Sequence, residues 1–383
     1  MRVAMLGLYP PDPRYILGGV EAVTYLLSHA LAALPDVDVH VVTLRAGVPH
    51  RQELEHTGVR VIVLPQPRRG RLTWHRAGTR LLLQEVARIQ PDVVHSHGSD
   101  VYTAAAVASP YPHVVTVHGV MAREASTVLG WRRRLAREVD RWFERWVLRQ
   151  AREVIAISPY VEQAYPWLRA RLHFVENPVS PRYFNVPEGA EVHGRVLCVA
   201  RVIPRKGILT LIRAFARVAA TYPQAVLDIA GEMDSFPEYA AMCQAEVRRR
   251  GLEDRVRFLG PLDEARLYTA YAQAQVTVLP SLQETAPVVI AESMAAARPV
   301  VATAVGGVPY MITPGETGWL VPAEDEEALA EALAEALADE ARCREMGRRA
   351  RVAARERFAP AKLAEKHRAV YHTVLDAFAG ERR

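Results

Sequence analysis

The chain has 383 residues, enough for two domains of ordinary size rather than one. Half of its residues are hydrophobic and 24% are charged, which excludes a disordered or fibrous chain, and no run of about 18 apolar residues offers a membrane span. The net charge of +5 is uneven, at +7 over residues 1–187 and −2 beyond, so the two halves are expected to meet different partners.

In chain order, the apolar start reads as a first strand rather than a signal-peptide core. Runs at 3–8, 37–44, 59–64, 92–95 and 113–118 are apolar and bounded by Pro, Gly or Asp, as buried strands are, with helical spacing over 20–34 and 76–89 between them. Strand, helix, strand in repetition predicts parallel βαβ units in a doubly wound sheet. Prolines and a glycine between 176 and 189 mark a linker. The alternation then restarts, with strands at 195–200, 225–230, 255–259, 276–279 and 300–303 and helices at 207–221, 239–250 and 263–274. Residues 326–341 are Ala/Glu-rich but read as an ordinary helix. The predicted architecture is α/β: two Rossmann-like domains, 1–183 and 190–359, facing each other across a cleft. A C-terminal helix, 360–383, is assigned to the first domain.

Fold alone does not name an activity. The dinucleotide fingerprint is missing, because Gly7 is followed by no G-x-G-x-x-G and no acid ends the second strand. Glycines come late, at Gly18 and Gly19, where helix N–H groups could approach an anion; a plain loop turn reads equally well. The second domain is more specific. Arg201 and Lys206 follow a strand end, where open α/β sheets bind ligands, and a guanidinium fork plus a point charge suit a diphosphate. Lys206 is one of three lysines among 48 basic residues, the others being Lys362 and Lys366. The arginine bias itself reads as GC-rich coding. Glu284 ends a strand-to-helix loop, Glu292 lies eight residues later in the helix, and Pro287 is read at the first helical position. Cys198, Cys243 and Cys343 are far apart and lack pairing or metal spacing, as expected in a reducing cytoplasm.

These residues carry a resemblance. Gly18-Gly19-Val20-Glu21, the strand end Val115 to Gly119 with His118, Asn177-Pro178, Arg201 to Gly207, the Glu284/Glu292 pair at E-x₇-E spacing and Gly306-Gly307 occur in the order seen in retaining glycosyltransferases of the GT-B fold, family 4 type. The resemblance covers nearly the whole chain. It implies transfer of a sugar from a UDP- or GDP-sugar to a hydroxyl acceptor, with retained anomeric configuration, in cell-envelope, polysaccharide or glycolipid synthesis. Arg201 and Lys206, with the backbone N–H groups of Gly18, Gly19 and Val288, would stabilise the leaving diphosphate. Glu284 would hold sugar hydroxyls, Glu292 the ribose hydroxyls, and His118 would contact the donor sugar, with domain closure completing the site. His95 and His97 are read as strand-end packing.

No metal and no cofactor are expected, since cations already occupy the phosphate site. Two positions depart from the family, which usually has Gly at Pro287 and at Ala297; the second is read as a packing change. A nucleotide-sugar epimerase or hydrolase of the same fold, or a silent sugar-nucleotide-binding subunit, are the alternatives, and intact Arg201, Lys206 and Glu284 argue against the latter. The acceptor, a sugar or a lipid-linked one, is not legible, and no nucleic acid is expected. Residues 121–152 carry nine arginines against four acids, and a helix over 131–151 aligns Trp131, Leu135, Val139, Trp142 and Trp146. That stripe reads either as core-facing or as a peripheral contact with the inner face of a membrane.

Overall fold

The computed structural model describes residues 1–16, 18–68, 70–120 and 131–381. The chain folds into two compact units: Met1–Pro13 with Gly18–Pro178 and Pro360–Arg383, and Val179–Ala359 with Arg14–Leu17.

The first unit is built on eight strands, β1 (Arg2–Leu6), β2 (Asp38–Arg45), β3 (Gln52–His56), β4 (Val59–Pro65), β5 (Val93–His97), β6 (His113–Val117), β7 (Glu153–Ala156) and β8 (Arg171–Phe174), in the order β3-β4-β2-β1-β5-β6-β7-β8. Its helices are α1 (Gly19–Ala32), α2 (Arg76–Ile89), α3 (Val101–Ala108), α4 (Trp131–Leu148) and α5 (Tyr160–Ala164). Alternation along the strands divides the core. Val3, Met5, Val39 and Val41 pack against Leu27 and Leu31 of α1, while Ala4, Leu6, Val42 and Leu44 pack against Leu82 and Val86 of α2. One strand breaks the expected parallel sheet. β3 runs antiparallel to β4 and is largely exposed, so Gln52–His56 shows no apolar run to announce it.

The second unit holds β9 (Arg195–Val199), β10 (Val226–Ala230), β11 (Val256–Gly260), β12 (Val276–Leu279), β13 (Val300–Thr303) and β14 (Gly318–Val321), all parallel, ordered β11-β10-β9-β12-β13-β14. Between and after them lie α6 (Ile208–Thr221), α7 (Pro237–Arg249), α8 (Glu264–Gln273), α9 (Val288–Ala295), α10 (Glu326–Ala338) and α11 (Glu340–Arg357). One face of the sheet packs on Leu211 and Phe215 of α6 and Leu333 of α10; the other packs on Ile290 and Met294 of α9. Each such fully buried side chain contributes about 1.5–3 kcal/mol relative to exposure.

Two expectations change here. Ala297 is more than a packing variant: its φ of +55° is left-handed, and it closes α9 with Ala297 N–H donating to Met294 O and Arg298 N–H to Ser293 O. That is the helix-ending motif in which glycine is free of the Cβ penalty, so alanine costs about 1–2 kcal/mol there. Pro287 is not the first helical residue but the residue before it, with φ −67° and ψ 121°.

The last helix, α12 (Pro360–Glu381), belongs to the first unit, where Leu363, Tyr371 and Val374 join the core beside α1. Among the described residues, no helix is long and apolar enough to cross a membrane.

Candidate active site

In each sheet the earlier strands lie to one side of a single boundary and the later strands to the other, between β9 and β12 in the second unit and between β1 and β5 in the first. Loops leaving the carboxyl ends of two such strands splay apart and leave a crevice, the usual ligand position in open α/β sheets.

In the second unit, the loop after β9 makes a 3₁₀ turn over Pro204–Lys206 and ends at Gly207, whose φ is +64°. A side chain is excluded at Gly207, since a Cβ would lie 2.0 Å from the carbonyl oxygen of Pro280 in the loop after β12. The two loops are laced together. Leu282 N–H donates to Arg205 O at 2.8 Å, and Arg205 Nη1 donates to Gln283 O at 2.9 Å. Glu284 sits at the centre, 6% exposed. Its Oε1 accepts from Lys206 Nζ at 2.5 Å and from Ser281 Oγ at 2.6 Å, and Arg205 Nη1 stands 3.7 Å from Oε2. Burial alone would raise its pKa. The charges of Lys206 and Arg205 and the hydrogen bonds from Lys206 and Ser281 outweigh burial and hold it below the ordinary value. The backbone of Glu284 is fixed too: Gly307 N–H donates to its carbonyl, and a Cβ on Gly306 would lie 1.8 Å from that oxygen.

Arg201 is exposed, and among the described residues its guanidinium has no acid partner. Val288 opens α9, which has no side-chain cap, so its first N–H groups lack intrahelical acceptors. At α6 the Leu209 N–H donates to the Tyr239 hydroxyl at 3.1 Å, and Asp263, Asp325 and Asp339 cap α8, α10 and α11. Glu292 lies one turn into α9. Its Oε2 accepts from the buried Tyr271 hydroxyl at 2.8 Å, and burial pushes its pKa up to about 7 despite that hydrogen bond, with Glu264 adding to the rise. Arg201, Lys206, Glu284 and Val288 thus share one edge of this sheet. Arg205, Ser281 and Tyr271 were not singled out from sequence. Arg205 had a signal, as the neighbour of Lys206; the other two had none.

In the first unit, Gly18 precedes α1 in an extended conformation with no side-chain cap, and nothing lies within 3.4 Å of where its Cβ would be. Neither Gly18 nor Gly19 has a positive φ, so the backbone conformation does not demand glycine there. His118 directly follows β6, and its Nε2 lies 2.9 Å from His97 Nδ1. Burial pushes its pKa down to about 3, with His367 adding to the fall, so its imidazole is neutral. His95 is strand-end packing, fully buried with its two ring nitrogens 2.7 Å from Tyr371 Oη and Thr116 Oγ1. Among the described residues, no group of three or more His, Cys, Asp or Glu side chains is arranged to hold a metal ion.

Residues 184–353 match the glycosyl transferases group 1 family and residues 17–183 match glycosyltransferase family 4. The alpha-maltose-1-phosphate synthase of Mycolicibacterium smegmatis is 30% identical over 411 residues, spanning 98% of this chain and all of that protein. The chain belongs to glycosyltransferase family 4. Sucrose-phosphate synthase from Thermosynechococcus elongatus is similar in structure, with a TM-score of 0.85, 26% identity, and coverage of 98% of this chain and 100% of that one. Anabaena HepE, solved in complex with UDP and glucose, shares the fold at a TM-score of 0.74 and 21% identity, over 96% of this chain and 98% of that one. This family 4 member is therefore an enzyme, a glycosyltransferase with the two parallel-sheet domains of the GT-B type.

The helix α4 corrects one reading. Leu135, Val139, Trp142 and Trp146 are exposed, at 61%, 39%, 66% and 49%, so the stripe does not face the core. The packed face carries Phe143, Val147 and Leu148 instead. Residues 121–130 and the side chain of Trp131 lie outside the described residues.

Proposed function

We propose that the enzyme transfers a sugar from a UDP- or GDP-sugar to a hydroxyl acceptor with retention of anomeric configuration, without a metal ion. The observation that carries this reading is the meeting of the Arg201–Gly207 and Pro280–Pro287 loops at the β9/β12 boundary. Arg201 and Lys206 neutralise the charge that grows on the leaving diphosphate, and the uncapped N–H groups at Val288, Gly18 and Gly19 add fixed dipoles. Glu284, kept ionised, holds sugar hydroxyls and lies on the side where the sugar becomes cation-like. Glu292 takes the ribose hydroxyls. His118, neutral, contacts the donor sugar. Pro287, which has no N–H, stands where the family has glycine and alters what the donor sugar meets. Relatives named as synthases of maltose 1-phosphate and sucrose phosphate support a hydroxyl-bearing carbohydrate acceptor.

Thermal-shift screening of nucleotide sugars, followed by slow donor hydrolysis in EDTA, tests this reading. Stabilisation by one UDP- or GDP-sugar and turnover that survives the chelator are expected. Loss of turnover in EDTA with rescue by Mg²⁺ would sink the metal-free mechanism, and tight binding without turnover would favour a silent subunit.

The exposed stripe of α4, flanked by Arg137, Arg141, Arg145 and Arg149, supports a peripheral contact with anionic lipid. Co-sedimentation with phosphatidylglycerol vesicles, reduced several-fold in a Trp142→Ser, Trp146→Ser variant, is the expected result. Equal pelleting of the two proteins would contradict it.

A further inference from the structure

We infer that His97 is a positioning residue that fixes the tautomer of His118, so that His118 presents Nδ1–H as a donor to a sugar hydroxyl. This rests on the proposed role of His118 as a donor-sugar contact.

His95 and His97 are two apart on β5, so their side chains share one face of the strand, with ring centroids 4.3 Å apart. The His97 ring also stacks on His118, with centroids 5.1 Å apart and planes 16° from parallel. Only one of the two facing nitrogens, His97 Nδ1 and His118 Nε2, can carry the proton between them. His97 is 2% exposed, and burial, then the imidazoles of His95, His118 and His367, hold it neutral. It has one proton for two nitrogens. Its Nε2 is buried and has no hydrogen-bond partner among the described residues. A proton on Nε2 would strand a buried N–H, whereas a proton on Nδ1 leaves only a lone pair unmet, the lesser cost. His97 therefore donates from Nδ1, and His118 Nε2 accepts.

Since His118 is neutral as well, its single proton sits on Nδ1. Two further contacts keep His97 from turning away. His95 uses both ring nitrogens on Tyr371 and Thr116, so it offers His97 no alternative partner. The Gly7 backbone packs close beside its base, since a Cβ there would stand 3.0 Å from the His97 Cβ and 3.7 Å from its Cγ. Without His97, His118 would exchange between tautomers and present a lone pair for part of the time.

Nitrogen-15 spectra of histidine-labelled enzyme at pH 7, with His118 assigned by comparison with His118→Asn, read the tautomer directly and without ligand. His118 is expected to be protonated on Nδ1 and bare on Nε2. In His97→Leu it should become a tautomer mixture, and donor hydrolysis, tried with UDP-glucose and GDP-mannose, should fall about tenfold in kcat, the scale of one neutral hydrogen bond. UDP or GDP affinity should stay within about twofold, because only the sugar contact is disturbed. His97→Asn, whose amide N–H replaces Nδ1–H, should restore the single tautomer and return kcat to within about threefold of wild type. A wild-type His118 protonated on Nε2 would overturn the inference, even if His97→Leu fails to fold. So would an unchanged spectrum and kcat in His97→Leu. Full turnover in His118→Ala would instead contradict the sugar-contact role, whatever the tautomer proves to be.

Discussion

Both sheets gather polar groups at the carboxyl ends of their strands, yet the two units furnish those ends in opposite ways. At the ends of β9 and β12, Arg201, Arg205, Lys206 and Glu284 are charged, and three of them are tied into one ion-paired cluster. At the ends of β5 and β6, His97 and His118 are neutral and stacked, with His97 buried beside Gly7 and His118 half-buried. The parallel sheet supplies the same placement in both cases, and the loop composition decides the chemistry. A charged edge suits a diphosphate whose charge grows during reaction; a neutral imidazole suits sugar hydroxyls, which carry none.

The largest effects should come from breaking the ion pair at the charged edge. Lys206→Ala removes the proposed phosphate partner and leaves Arg205 as the one cation beside buried Glu284, so donor turnover should drop at least about a hundredfold in kcat/KM, about 2.7 kcal/mol, with a lower Tm. Glu284→Gln should also cut kcat about a hundredfold, but it frees Lys206, so UDP or GDP should bind as tightly as before or more tightly. Calorimetry beside steady-state kinetics separates the two. Equal losses of nucleotide affinity in both variants would mean that the carboxylate and the cation serve the same group.

A smaller effect concerns Glu292. Its folded pKa, about 7, is raised above the ordinary 4.5, so the protonated acid favours the folded state at low pH. That contribution is lost as pH rises through about 7. Glu292→Gln should therefore gain on wild type as pH rises, by about 2–4 °C in Tm at pH 8, with no gain at pH 5. Nucleotide affinity in wild type should tighten up to about tenfold between pH 6 and pH 8, as the carboxylate proposed to accept the ribose hydroxyls forms, and Glu292→Gln should show less of this dependence. Parallel pH profiles of the two proteins would mean that Glu292 is not the titrating group.

Much of the fold was legible in the sequence because buried parallel strands are short apolar runs with clear boundaries, as at β9 and β12. Two missed strands lacked that signature: β3 is an exposed edge strand whose single apolar side chain is Leu54, and β8 buries none of its four residues. β7 and β14 are apolar runs as short as β12 and were passed over all the same. Local motifs located Arg201, Lys206, Glu284 and Glu292, but not what each one touches. Lys206 meets Glu284 across 78 residues and Glu292 meets Tyr271 across 21, contacts that only the packed sheet creates. His97 was visible as the second histidine of His95-Ser96-His97. Its importance was not, because packing and pairing look alike until His118, 21 residues later, is brought against it.

The proposed diphosphate position at the β9/β12 edge is probed most cleanly at Arg201, which is exposed and has no acid partner among the described residues. Calorimetric titration of UDP and GDP into wild type and Arg201→Ala should show affinity for the better nucleotide falling at least about tenfold, the scale of a hydrogen bond to a charged group, with Tm unchanged. Equal affinity in the two proteins would contradict the account and place the diphosphate elsewhere.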